Sequence, residues 1–321
     1  MGLVVSVVSL YLALRSLTLQ EIWVVLSQAN GRTVSLALAS VALGNLAKTA
    51  RWRVLLGQRG AKIGFGKLLM SQLVGQMFNL LYPARIGDLS RAYVIGGLGA
   101  GRVFVLGTVV VEKILDMLSY ALLFLVLIIL IPLPFWVNDS GYTFVIVTLV
   151  VLLMVFFATW QREWIVRTGE WLITHLPGWL QTLAVGRVGS ALASLDTLQN
   201  RVEVLKLAFW SAIIWSTAVL NNQLVLLSFG IHLPLTAALL VLIGLQVGIS
   251  IPSIPGRVGI FEYICVLALS LFNVKQGAAF SYGVLLHGIV LLTPTLAGLF
   301  SFGILTAPGV RARQPEENII I

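Results

Sequence analysis

The chain has 321 residues, of which 59% are hydrophobic and only 10% are charged, and its mean hydropathy is +0.99. Soluble domains of this length carry far more charge, so the composition excludes a soluble enzyme. The net charge of +9 does not indicate a nucleic-acid partner, because Lys and Arg cluster at the ends of apolar runs, as the positive-inside rule requires. Continuous apolar runs long enough to cross a bilayer recur along the chain. We therefore expect one all-α, polytopic membrane domain over residues 1–321.

The first apolar run, Gly2–Leu14, is predicted to be a retained helix. Neither a basic segment before it nor a small-residue cleavage site after it marks it as a signal peptide. The amphipathic segment Gln20–Gln28 is predicted to lie at the membrane interface. Thr33–Ala50 is the next span. The segment that follows it, up to Lys67, contains several basic residues and no acidic one, so we expect it in the cytoplasm.

A short apolar segment, Leu68–Leu81, ends at a break that contains Pro83. Basic residues lie both before this segment, at Lys67, and after it, at Arg91 and Arg102. A crossing would place these residues on opposite sides of the membrane. A re-entrant segment that returns to the cytoplasmic side explains the charges better.

The next predicted span is Arg102–Ile131. The loop Pro132–Tyr142 contains one acid and no basic residue, so we expect it outside, and Tyr142–Trp160 then returns to the cytoplasm. The polar stretch Gln161–Lys206 interleaves tryptophans with charged residues, which is typical of helices that lie on the membrane surface.

The second half contains a similar series of segments. Leu207–Phe229 crosses outward, Ala237–Ile251 is short and ends at a second break, and Gly259–Phe272 continues the apolar pattern before the last span, Ala278–Leu305. This gives about six full transmembrane helices and two broken or re-entrant segments, with eight ordinary spans as the alternative. Both termini are expected in the cytoplasm of a multi-pass protein of the plasma membrane.

The two breaks match each other in sequence. Pro83-Ala-Arg85-Ile-Gly87 corresponds to Pro255-Gly-Arg257-Val-Gly259, and each follows a short apolar segment of opposite predicted direction. Paired Pro/Gly breaks in corresponding halves of a membrane protein indicate an inverted repeat with a transport site at the breaks. We place the half-repeats at about 33–131 and 206–306, joined by the surface segment 161–205. The alternative is two unrelated loops that share common helix-breaking residues.

The charges near the first break suggest a site for an anionic headgroup. The guanidinium groups of Arg85 and Arg91 match the geometry of a phosphate, and Asp88 can orient an arginine or compete with the phosphate. The alternative is that these arginines reach toward headgroups at the interface.

Glu112 and Asp116 share one helix face with Lys113, and charges near the bilayer centre require protein partners. They are interpreted either as ion-pair partners of Arg85 or Arg91, or as proton carriers in a coupled cycle.

Other polar residues in apolar runs have simpler interpretations. Arg257 and Glu262 form either an ion-pair latch at the second break or a substrate contact. Arg51 and Arg53 are expected to anchor their helix at the interface, and the polar run 221–223 is expected to join helices. No cofactor is expected, and a metal site is improbable because the three histidines, His175, His232 and His287, lie far apart in sequence.

These motifs resemble the lysylphosphatidylglycerol synthase transmembrane-region family, also called flippase-like, over most of the chain. The resemblance rests on Arg51-Trp52-Arg53, Asn79-x3-Pro83-x-Arg85-x-Gly87-Asp88-x2-Arg91, Glu112-Lys113-x2-Asp116 and Pro255-Gly256-Arg257-Val258-Gly259-x2-Glu262. Asp88 stands where the family pattern has Glu, and Arg257 stands where relatives often have Gly. The soluble aminoacyl-transferase domain of bifunctional relatives is expected to be absent.

The resemblance implies a lipid translocase that moves an anionic phospholipid or glycolipid between leaflets and is not an enzyme. A membrane-embedded enzyme that modifies a lipid headgroup is one alternative, and a non-transporting partner of a lipid synthase or glycosyltransferase is another. The candidate substrate-binding and transport residues are Asn79, Pro83, Arg85, Gly87, Asp88, Arg91, Glu112, Lys113, Asp116, Pro255, Gly256, Arg257, Gly259 and Glu262.

Overall fold

The described part of the chain is helical. Its helices and connecting turns contain no strand, so the protein is an all-α membrane protein, as the composition predicts. The computed structural model describes residues 2–15, 17–82, 86–131, 135–161, 187–249 and 254–306, together with Trp164, Arg167, Thr168, Trp171 and His175.

The helices occur in two similar series. A π-helical turn lies at Gly96–Ala100, and 3-10 turns lie at Ala193–Gln199 and at Pro255–Arg257. The helices of the first half are α1 (Gly2–Leu14), α2 (Leu19–Ser27), α3 (Gly31–Ala61), α4 (Phe65–Leu81), α5 (Ile86–Ile95), α6 (Arg102–Leu130) and α7 (Phe135–Trp160). The helices of the second half are α8 (Arg187–Leu192), α9 (Arg201–Ser228), α10 (Leu235–Ile249), α11 (Ile260–Ser270) and α12 (Gln276–Thr306).

In each half, a long helix is followed by two short helices and then by a second long helix. Helices α3 to α6 have 31, 17, 10 and 29 residues, and helices α9 to α12 have 28, 15, 11 and 31 residues. This order, with short helix pairs at corresponding places, is what an inverted repeat requires. The boundaries 33–131, 161–205 and 206–306 stay predictions.

The first helices of the two series, α3 and α9, run antiparallel. The Asn30 N–H, at the start of α3, donates to the carbonyl of Ser228 at the end of α9 over 2.8 Å. Near the other end of the pair, Arg51 Nη1 donates to Ser211 Oγ over 3.0 Å. The two series therefore point in opposite directions along the bundle.

Each pair of short helices forms a hairpin. In the first, Gly87 of α5 lies beside Asn79 and Gly75 of α4. The end of this hairpin returns to the end of α3, where Arg59 Nη1 donates to the carbonyl of Ala100 over 2.9 Å. In the second hairpin, Gly244 and Gly248 of α10 lie beside Ile264 of α11. Helices α5 and α11 have only 10 and 11 residues, too few to cross a hydrocarbon core of about 30 Å, which favours re-entrant segments over eight ordinary spans.

Four described helices, α3, α6, α9 and α12, have the length and apolar character of membrane spans. Helix α7 is also long, with 26 residues, and contains the shorter apolar stretch Val145–Met154. Helix α1 has 13 residues, and about 20 Å of helix does not cross a hydrocarbon core of about 30 Å. Gly2–Leu14 is therefore too short to be a full span by itself. Among the described residues, α3, α6, α7, α9 and α12 each have 26 residues or more.

Instead, α1 covers the second hairpin. The hydroxyl oxygen of Ser6 accepts a hydrogen bond from the Ile254 N–H over 3.2 Å, and Gln276 Nε2 donates to the carbonyl of Ala13 over 3.0 Å. The helix thus extends from the second break to the start of α12. It supplies a hydrogen-bond partner to a backbone N–H that lipid would leave unpaired.

Several segment boundaries differ from those predicted. The predicted extent of the loop, Pro132–Tyr142, is wrong, because α7 already begins at Phe135. Helix α9 begins at Arg201, where the side chain of Asn200 accepts from the Val202 N–H. Hydropathy marks only the apolar part of a helix, whereas backbone hydrogen bonding continues through polar residues until a cap or a break ends it.

The close approach of Gly75 and Gly87 holds the first hairpin together. A Cβ atom added to Gly87 would lie within overlap distance of the Gly75 carbonyl oxygen, which belongs to the backbone and cannot rotate away. We therefore expect Gly87→Ala to lower the free energy of unfolding by about 1–3 kcal/mol, the usual cost of overpacking. Unfolding of the detergent-solubilised protein measures the effect.

Gly66→Ala is the matched control, because no atom lies within 4 Å of the position of its added Cβ. Equal unfolding midpoints for the two variants would contradict the packing of α4 against α5.

Candidate functional site

A cavity of about 230 Å³ lies where the two hairpins meet the long helices. Residues of α4, of α10, of the turn Pro255–Arg257 and of α11 contribute to its wall, together with residues of α3, α6, α9 and α12. The cavity is therefore lined by residues from both halves of the chain. Its polar and charged wall residues are Ser40, Asn45, Lys48, Gln76, Tyr120, Thr217, Asn221, Asn222, Gln246 and Arg257.

Two cations, Lys48 of the first half and Arg257 of the second, line this cavity, and no acidic residue of the described chain does. Lys48 lies within electrostatic reach of Asp116 and Glu112. No described residue forms a hydrogen bond or a salt bridge with its ammonium group. The cavity wall thus carries positive charge in a region where unpaired charge is costly.

The second break places Arg257 at the cavity through an unusual backbone. Gly256 and Arg257 have φ values of 75° and 61°, and a side-chain-bearing residue at such an angle is strained. His287 holds this turn, because its Nε2 donates to the carbonyl of Gly256 over 2.7 Å.

Glu262 is buried next to this turn, with both carboxylate oxygens engaged. Oε1 lies 2.6 Å from His287 Nδ1, and Oε2 accepts from the Gly259 N–H over 2.7 Å. The predicted latch between Arg257 and Glu262 is therefore wrong. His287, which the sequence analysis considered only in connection with a metal site, is the partner of Glu262.

At the first break, Asn79 closes the hairpin. Its side-chain oxygen accepts from the Gly87 N–H over 3.0 Å, and its Nδ2 donates to Asp88 Oδ1 over 3.1 Å. Asp88 also lies 3.8 Å from Lys113 Nζ. Asn79, Gly87 and Asp88 thus have a structural role here. Pro83 and Arg85, the other candidates at this break, lie outside the described residues.

Two arginines bind the acidic residues of α6. Arg91 Nη2 donates to Glu112 Oε2 over 2.7 Å, and its guanidinium lies over the Trp52 ring at 4.0 Å. Arg51 Nη2 donates to Asp116 Oδ1 over 2.6 Å. The pairing of an acid of α6 with Arg91 is confirmed.

Arg51 is fully buried, so its interpretation as an interfacial anchor is wrong, whereas Arg53 is exposed, as an anchor would be. Arg51 is buried because its partners, Asp116 and Ser211, lie on two other helices. No pattern within the sequence of α3 shows these contacts.

A comparison with family models supports the resemblance. The model described as lysylphosphatidylglycerol synthase TM region matches residues 1–298. The chain belongs to this family. No curated protein and no solved structure matches the chain. Membership and the apolar helices together make this a membrane protein with a lipid-related function.

In this member of the lysylphosphatidylglycerol synthase TM-region family, the charges around α6 do not cancel. Within the helix, three charged residues, Glu112, Lys113 and Asp116, have oppositely charged partners in Arg91, Asp88 and Arg51. Lys48 adds a positive charge to this group. The charge in excess therefore belongs to a residue that lines the cavity.

Several site residues of this family member were not predicted from the sequence. Lys48 lies inside the predicted span Thr33–Ala50 and was not singled out, although it lies one helical turn before Arg51 on α3. Asn221 and Asn222 join helices as expected, through Ser40 and the carbonyl of Ala238, and they also line the cavity.

The Arg91–Glu112 pair gives a stability test. Glu112→Gln leaves Arg91 charged in a buried position, so we expect a loss of about 3–5 kcal/mol in the free energy of unfolding, measured by denaturation in detergent. Glu203→Gln is the matched control because its partner Lys206 is exposed, and it should cost less than about 1 kcal/mol. Similar losses in the two variants would contradict the inferred burial of the Arg91–Glu112 pair.

Proposed function

We propose that the protein is a lipid translocase that moves an anionic phospholipid or glycolipid between the leaflets of the plasma membrane. The observation that carries this proposal is the positively charged cavity between two re-entrant hairpins. Its supports are the location of the cavity, the charge of its wall and the lipid-related family of the chain.

The charge of the wall fits a phosphate-bearing headgroup. Removing the Lys48 ammonium from water is costly, and an anion that binds between Lys48 and Arg257 offsets this cost by charge-assisted hydrogen bonds. The amide side chains of Asn45, Gln76 and Asn221 supply further donors and acceptors for hydroxyl groups of a headgroup.

The hairpins fit movement of a substrate between two sides. Broken helices that meet within a membrane are typical of secondary transporters, in which one half of the protein moves against the other around a fixed site. The antiparallel arrangement of α3 and α9 supplies two such halves. We propose that the basic ends of α3 and α4 face the cytoplasm, as the positive-inside rule indicates, with both termini on that side.

We prefer a translocase to an enzyme because the carboxylates that could catalyse a reaction already have hydrogen-bond partners within the protein. Glu112 and Asp116, which would perform acid–base chemistry, each face an arginine at hydrogen-bond distance. Glu262 faces His287 and a backbone amide. A lipid synthase or glycosyltransferase remains a proposed partner that would supply or consume the lipid.

Lys48→Met tests the role of the cavity charge. This variant keeps the length of the side chain but removes its charge, so we expect about tenfold or greater loss of anionic lipid movement, the value of one hydrogen bond to a charged group. Purified protein in vesicles is assayed with fluorescent phosphatidylglycerol, and dithionite quenching reports which leaflet the lipid occupies.

Arg53→Gln is the matched control, because Arg53 lies on the same helix but is exposed. It should keep the wild-type rate. Wild-type movement of phosphatidylglycerol by Lys48→Met would refute the assigned role of Lys48, and the absence of movement by the wild-type protein would refute translocation of this lipid class.

A further inference from the structure

The hydrogen bonds around His287 determine how many protons the Glu262–His287 pair holds. The carbonyl oxygen of Gly256 only accepts, so His287 Nε2 must carry a hydrogen. A neutral imidazole with a hydrogen on Nε2 has a lone pair on Nδ1, and this lone pair would face the Glu262 carboxylate at 2.6 Å. Two acceptors at that distance repel each other unless a proton lies between them.

We propose that Glu262 and His287 form a proton-binding site whose occupancy holds the Pro255–Arg257 turn in place at the cavity. The bound proton is shared as imidazolium and carboxylate or as imidazole and carboxylic acid. The pair is neutral in either form, and it becomes negative when the proton leaves to water. The proton site is inferred from the contacts of Glu262 and His287 alone. Only the coupling of proton binding to lipid movement rests on the proposed translocase function.

Loss of the proton has a direct structural consequence. The repulsion between Nδ1 and Oε1 displaces the imidazole, which withdraws the donor from the Gly256 carbonyl. Gly256 and Arg257 have positive φ values, and such strained conformations persist only when the surrounding structure holds them. Release of this turn moves Arg257, which is one of the two cations in the cavity wall.

A second contact connects the pair to the cavity. The Phe261 ring stacks on the His287 ring at 4.3 Å with an interplanar angle of 13°, and Phe261 itself lines the cavity. A displaced imidazole therefore alters two wall residues, Phe261 and Arg257. In a translocase, this change would couple proton release to headgroup binding or release.

Among the described residues, titratable groups lie on most of the elements that pack against the pair. Helix α10 has none, α2 contributes Glu21, which caps its own helix, and α4 contributes Lys67 in its first turn. Those of α9, Arg201, Glu203 and Lys206, lie in its first two turns. Helix α3 contributes Arg32, Lys48, Arg51, Arg53 and Arg59. Further groups are Tyr11 of α1, Tyr120 of α6, Arg257, Tyr263, Cys265 and Tyr282.

Hydrogen–deuterium exchange of the full chain in lipid nanodiscs tests the site without a transport assay. The reporters are the Arg257 N–H, which donates to Ile254, and the Gly259 N–H, which donates to Glu262. After correction for intrinsic rates, we expect their exchange to be about tenfold or more faster at about pH 9 than at about pH 6, because a buried group loses its partner.

Glu262→Gln is the decisive variant. Its amide donates to Nδ1 of a neutral imidazole and its oxygen accepts from the Gly259 N–H, so every hydrogen bond persists without a titratable proton. We expect slow exchange at both pH values. His287→Phe keeps a ring against Phe261 but lacks the bonds to Glu262 and Gly256, so it should exchange fast at both values.

Exchange in the wild-type protein that does not change with pH would overturn the proposal, and this measurement requires no variant to fold. A pH response of Glu262→Gln equal to that of the wild type would overturn it as well. If exchange responds as expected but fluorescent phosphatidylglycerol does not move at any pH, the proton site stands and the translocase function fails. If lipid moves with the same pH profile in the wild type and in Glu262→Gln, the coupling role fails.

Discussion

A helix that breaks inside a bilayer leaves backbone donors and acceptors that lipid cannot satisfy, and this constraint shapes both hairpins. At the first break, the side chain of Asn79 accepts from the Gly87 N–H. At the second, Glu262 accepts from the Gly259 N–H, His287 donates to the Gly256 carbonyl, and Ser6 accepts from the Ile254 N–H. The polar residues that satisfy these groups are therefore fixed in place, and they bring charge to the centre of the protein.

Unpaired charges are also costly inside a bilayer, and this cost explains the ion pairs of α6. Glu112 and Asp116 each bind an arginine from another helix, so the charges contribute to the packing of α3, α5 and α6. Lys48 and Arg257 differ from these residues because their side chains line a cavity. Position at the cavity wall therefore distinguishes the residues proposed to bind a headgroup from the ion pairs that hold the bundle together.

Sequence patterns identified the class of fold and the two breaks with good accuracy. The starting residue of α6 and both residues that bound α1 agree with the apolar runs, and both hairpins lie at the Pro-x-Arg-x-Gly motifs. The polar ends of α3, α7 and α9 were missed, because hydropathy does not show helix that continues through polar residues. Arg51 was misassigned for a related reason, since its burial depends on partners on α6 and α9.

The sequence by itself determined that the chain lies in the bilayer, that two short segments break and that charges gather near the breaks. These properties follow from local composition and from the limits that proline, glycine and charge impose in lipid. Only the tertiary structure decided which charges pair, that His287 rather than Arg257 binds Glu262, and that Lys48 and Arg257 share one cavity. Those facts depend on contacts between side chains that belong to different helices and turns, and the local pattern of a single sequence does not show which helices pack together.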